Sequence, residues 1–221
     1  MTVHSPEHTS TSSEGRGWAW CGVLGGLIAL VVIFFLSVAL SSVDEALWKD
    51  NARYVEAIAD KKTTVWIFQT GTSLAALLVI VFAAGLRRKL ARLEPRDGLV
   101  PGLVFAGLLL VAALLLVGGG ISTELYHALR QYEKADPDTI GANLGIYNTL
   151  AWVWAGAGLS AGAVAVAGFR RRTVGRGTAV FSAVMAALIA LVQLVPLQYM
   201  ALLPGALWIM VMGAVSATSK R

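Results

Sequence analysis

Along the chain, long apolar stretches alternate with short charged ones. Four stretches, at 18–40, 65–86, 99–120 and 147–169, contain no Asp, Glu, Lys, Arg or His in their interiors. Each is near the roughly 20 residues that a helix needs to cross a hydrocarbon core of about 30 Å. A fifth apolar stretch, 178–217, would be about 60 Å long as one helix, too long for a single crossing. Pro196 and Pro204 interrupt it. The preferred reading is two short spans, 178–195 and 199–215, joined by a turn at "VPLQY". The alternative is one tilted, kinked helix. The pattern predicts an all-α polytopic membrane protein, a bundle of six (alternatively five) transmembrane helices.

The polar segments between spans also carry a pattern. In 43–62, Val43, Leu47, Tyr54 and Ile58 recur at helical spacings, with Asp44, Glu45, Asp50 and Arg53 on other faces. This predicts an amphipathic helix that continues the first span beyond the membrane. In 122–138, Ser122 is placed to cap a turn containing Leu125 and Tyr126, and Leu129 and Tyr132 extend the apolar side. Pro137 is expected to stop that helix and Asp138 to cap the approach to the fourth span. Two outward-facing amphipathic loop helices are therefore expected, packed on each other as a small cap.

Each such hairpin ends in a basic cluster. Arg87-Arg88-Lys89 and Arg170-Arg171-Arg172 lie 83 positions apart. The chain divides accordingly into a disordered tail (1–17), two hairpins with helical loops (18–98 and 99–177), and a third short hairpin or kinked helix (178–221). The segment 87–98 holds Arg87, Arg88, Lys89, Arg92 and Arg96 against Glu94 and Asp97, and 170–177 holds four arginines and no acid. Loops 41–64 and 121–146 carry more acids than bases. Basic short loops face the cytoplasm, so these clusters are expected to set topology, with the amino terminus cytoplasmic and the larger loops outside the cell membrane. Six spans also return Lys220 and Arg221 to the cytoplasm.

Composition agrees with the pattern. The chain is 57% hydrophobic and 14% charged, where a soluble domain carries about 25% charge. Its net charge of +5 sits in short loops, which suits topology and not nucleic-acid binding. No zinc-finger, recognition-helix or aromatic RNA-binding motif occurs. The first apolar stretch is long for a signal peptide, whose apolar region is about 7–15 residues, and is read as an uncleaved helix.

Candidate chemistry is sparse. Cys21 is a single thiol and reads as a packing residue. His127 is the sole histidine outside the tail, and a haem or zinc centre would need further ligands. Glu124, Glu133, Asp136 and Asp138 lack the regular oxygen spacing of a calcium loop. The spans show no acid or histidine for proton coupling, no arginine row and no potassium-filter sequence. No catalytic or metal site is expected and no cofactor is predicted; cofactor-binding residues stay unassigned, and the chain leaves room for a bound lipid.

Three groups of residues remain as functional candidates. Gly158 and Gly162, four apart in the Gly/Ala-rich fourth span, offer a face for close helix packing, within the chain or between copies. Gln69 and Asn148 occupy comparable places near the outer ends of the second and fourth spans and could line a shared polar vestibule. Trp48, Tyr54, Tyr126, Tyr132, Glu124 and Glu133 form the candidate outer interaction surface. The favoured reading is a noncatalytic structural, assembly or accessory subunit that contacts lipids and either itself or another membrane protein. The alternatives are an oligomeric channel or facilitator for ions or a small solute and, less favoured, a membrane enzyme.

Overall fold

Stretches without charges in lipid must satisfy every backbone group internally, and the helix is how a single segment does so. The computed structural model describes residues 15–41, 47, 49–95, 97–195 and 197–219, and at 36–38, 40–41 and 147–151 the backbone alone. The helices are α1 (Gly17–Ser41), α2 (Asn51–Ile58), α3 (Lys62–Ala91), α4 (Val100–Arg130), α5 (Pro137–Thr149), α6 (Trp154–Arg171), α7 (Arg176–Leu194) and α8 (Leu202–Thr218). Short 3-10 turns at Ala59–Lys61, Leu150–Val153 and Gln198–Ala201 join α2 to α3, α5 to α6 and lead into α8.

Among the described residues, five segments have the length and apolarity to cross a membrane: Gly17–Phe35, Asn51–Ala91, Val100–Arg130, Arg176–Leu194 and Gln198–Thr218. The protein is thus an all-α, multi-pass membrane bundle. The stretch 178–217 divides into two antiparallel helices. Val195, the residue before Pro196, is extended at φ −95° and ψ 145°, as the clash with a following proline ring favours. Pro204 does not interrupt a helix; it lies in the first turn of α8, where a missing N–H costs little. The segment that falls outside the five is instead α6, 18 residues built largely from Gly and Ala. It still stands in the bundle as a sixth rod between α4 and α7.

The six rods form a closed circuit in chain order. α1 packs on α3, α3 on α4, α4 on α6, α6 on α7, and α8 both meets α7 and returns to α1. Neighbours run antiparallel. Trp18 lies over Gly85 while Val32 lies over Gly71, so α1 and α3 point in opposite directions. At the start of α1, Arg16 Nη1–H donates to the Ala217 carbonyl at 2.9 Å, placing a cation at the negative end of α8. Of the apolar window of α8, 56% is buried, against 22% for α7. α8 therefore closes the circuit, and α7 is the least buried of those five segments. The bundle core includes Phe82, Leu108, Trp154, Trp208 and Ile209.

α3 and α4, with 30 and 31 residues, reach about 45 Å, some 15 Å beyond a hydrocarbon core. The excess builds a second core at one end. Val55 and Ile58 of α2, Val65 and Phe68 of α3, Leu125 and Leu129 of α4, and Ile140 and Leu144 of α5 are buried together there. This is the capped end. The opposite end, carrying the arginine clusters, is the basic end.

Local expectations at the cap are corrected. The first amphipathic helix does not continue α1. Asp50 is extended, at φ −132° and ψ 96°, and its carboxylate accepts from Arg53 N–H as the cap of a separate α2, which runs into α3. Ser122 caps nothing: α4 continues through it, and its hydroxyl donates to the Gly118 carbonyl one turn back at 2.8 Å. α4 ends at Arg130, before Pro137, and Pro137 begins α5, a position that needs no N–H. The cap of α5 is Asp136, which accepts from Thr139 N–H at 3.2 Å and from the Thr139 hydroxyl at 2.8 Å. Several expectations lie outside the described residues: the tail up to residue 14, Val43, Asp44 and Glu45, Trp48, Arg96, Pro196, Lys220 and Arg221, and the side chain of Asn148.

Candidate functional site

The capped end gathers much of the candidate outer surface. α2 and α5 lie side by side, and both bury apolar side chains against the ends of α3 and α4. Asn51 Nδ2–H donates to the Asp138 carboxylate at 2.8 Å, locking the starts of the two helices together. Asp138 thus serves the partner helix and not its own. The neighbouring Asp136 carboxyl is held below its ordinary range by the Thr139 hydroxyl and then by the Asp138 N–H, which favour its charged form. Tyr54, Tyr126 and Tyr132 are half-buried against the cap core. Arg130 lies 5.9 Å from the Tyr126 ring and His127 packs edge-on to it at 5.4 Å. Glu124 and Glu133 are exposed.

Inside the bundle, hydroxyls are used locally. Thr72 donates to the Phe68 carbonyl at 2.7 Å and Ser73 to the Gln69 carbonyl at 2.9 Å. The Ser160 hydroxyl is within 3.0 Å of both the Gly156 carbonyl and the Val104 carbonyl, stapling α6 to α4. Trp208 Nε1–H donates to the Ser182 hydroxyl at 3.0 Å, joining α8 to α7 in the buried core. Gln193 differs: its side-chain nitrogen and oxygen are buried with no hydrogen-bond partner. Gln69 is half-buried in α3, and no contact between it and Asn148 is described.

Gly158 and Gly162 face α7. A Cβ on Gly158 would stand 2.8 Å from Ile189 Cγ2, whereas one on Gly162 would meet only Ala186 Cβ, at 3.9 Å. The tightest small-residue seam lies elsewhere, where Gly107 of α4 and Gly156 of α6 meet backbone to backbone. Sequence spacing drew attention to pairs four apart on one helix. It gives no sign that Gly107 and Gly156, 49 positions apart, would touch.

At the basic end, the topology-setting residues have further contacts. Arg87 lies 5.4 Å from the Phe105 ring centre. Arg171 Nη1 pairs with Glu94 Oε2 at 2.8 Å, and the Thr173 hydroxyl donates to Glu94 Oε1 at 2.9 Å. The Glu94 side chain is fully buried while that of Arg171 is 49% exposed. This clamp ties the α3–α4 loop to the α6–α7 loop. Arg172 turns the chain into it, in the left-handed conformation at φ 54°. Arg88, Arg170 and Arg172 are exposed, and Lys89 is half-buried. In sequence Glu94 is one acid diluting a basic loop, and its one clue is its place amid five bases.

Among the described residues, no group of three or more His, Cys, Asp and Glu side chains could hold a metal ion. Searches against protein-family models, curated proteins and solved structures return no match.

Proposed function

We propose that this multi-pass membrane protein is a noncatalytic structural, assembly or accessory subunit. What supports the reading most is the contrast between the spans and the cap. Most of the hydroxyls buried in the spans are bonded within the bundle. The cap has its own core and the Asn51–Asp138 tie, a preorganised platform. Such a platform loses little conformational freedom when a partner binds. Exposed Glu124 and Glu133, beside Tyr126 and Tyr132, form its docking surface, facing a second copy or another membrane protein. The charge pattern supports an orientation with the basic end and the amino terminus in the cytoplasm and the cap outside the cell membrane.

A facilitator for ions or a small solute is the second reading. It is favoured by Gln193, a buried amide without a partner in an apolar helix.

Mass measurement in mild detergent tests the first reading: an assembly heavier than one chain is expected. Glu124→Arg with Glu133→Arg should weaken it several-fold without lowering the melting temperature, because both residues are exposed. A strictly monomeric, partner-free protein counts against the subunit role. Solute flux through protein-containing liposomes above empty controls would favour the facilitator instead. For orientation, an impermeant maleimide on intact cells should label Glu133→Cys and not Arg170→Cys in a Cys21→Ala background.

A further inference from the structure

At the basic end, α3, α8 and the turn between α6 and α7 enclose a cavity of about 150 Å³. Its lining is of two kinds. Leu86, Leu90 and Met212 supply apolar surface, while Lys89, Thr178 and Ser216 supply an ammonium and two hydroxyls. Lys89 is half-buried, and no carboxylate pairs with it among the described residues. The nearby acid of the same loop, Glu94, is already engaged by Arg171 and Thr173.

The backbone adds to the same field. Gly175, which lines the cavity, is the N-cap of the 19-residue α7 and offers no side-chain cap bond. The first N–H groups of α7 thus have no side-chain cap, and the positive end of its dipole lies beside the cavity that Gly175 and Thr178 line. An uncompensated half-buried ammonium, hydroxyl donors and an uncapped helix start together suit an oxyanion. The apolar part of the lining does not suit a free ion. It continues to Leu93 and Val215, which line the cavity and are also exposed, 50% and 37%. Apolar surface therefore continues from the cavity to the outside of the bundle.

We propose that this cavity binds the phosphate of an anionic lipid headgroup, with the lipid's acyl chains remaining in the bilayer beyond Leu93 and Val215. Lys89 supplies the main charge, and Thr178 and Ser216 donate to the phosphate oxygens. Free phosphate shares this chemistry but would leave the apolar surface unused.

The test uses the full chain, delipidated in detergent and read by native mass spectrometry. It is titrated in parallel with phosphatidylglycerol, phosphatidylcholine and inorganic phosphate. One phosphatidylglycerol per chain, preferred about fivefold over phosphatidylcholine as one added cationic contact predicts, is the expected result. Lys89→Met should abolish the preference. Thr178→Leu, which fills the cavity without changing charge, should abolish it too and serves if Lys89→Met fails to fold. Lys62→Met, at the capped end, should leave it intact. A preference that survives both cavity substitutions overturns the site. Inorganic phosphate bound with the same Lys89 dependence, and no lipid retained, overturns the lipid assignment.

Discussion

At the scale of single residues, the side chain with the largest unadvertised role is Glu94. In sequence it is one acid among five bases, and the charge rule uses it only as a subtraction. In the fold its buried carboxylate holds Arg171 and Thr173. Glu94→Gln keeps the shape and removes the charge. Because Arg171 is half-exposed, its attraction to Glu94 is partly screened, and the expected loss is about 1–2 kcal/mol. Thermal unfolding in detergent should show a lower midpoint, and limited proteolysis should cut the 92–99 loop faster. An unchanged midpoint and cutting rate would mean that the clamp contributes no stability.

Among elements, the α4–α6 seam and the α6–α7 face differ in what they tolerate. Any side chain at Gly107 collides with the Gly156 backbone and the Ser160 hydroxyl. Helix backbones cannot yield there without parting α4 from α6, so Gly107→Leu should lose more than about 3 kcal/mol. Gly162→Ala meets only ordinary van der Waals contact with Ala186. It should gain about 0.5–1 kcal/mol, because alanine favours the helix. Paired unfolding measurements check the contrast, and equal effects would reject the seam. The Gly/Ala repetition of α6 was legible in sequence. Which of its small residues meets which neighbour was not, because helix rotation is set by every partner at once.

For the whole molecule, closure of the circuit rests on α8. It packs along α1 and covers Trp154 of α6 through Gly205. A chain ending at Val195 would leave those faces of α1 and α6 uncovered. Such a chain should fail to accumulate in membranes, while a separately expressed 196–221 segment should partly restore it. Accumulation of the truncated chain at full level, measured by immunoblot, would show that α1–α7 stand without it.

By itself, the sequence determined the membrane class, the near-charge-free spans and the places where they break. Each of these follows from a local rule: a charge is costly in lipid, a helix rises 1.5 Å per residue, and a residue before proline stays extended. Only the tertiary structure decided where the ends of the excess helix lie and what they do. It made α2 a forerunner of α3 and not a tail of α1, gave Asp136 and not Asp138 the capping role, and joined Glu94 to Arg171 across 77 positions. The physical reason is that caps, seams and clamps are choices between nearby partners of almost equal local merit. Long-range packing, which no window of sequence contains, settles those choices.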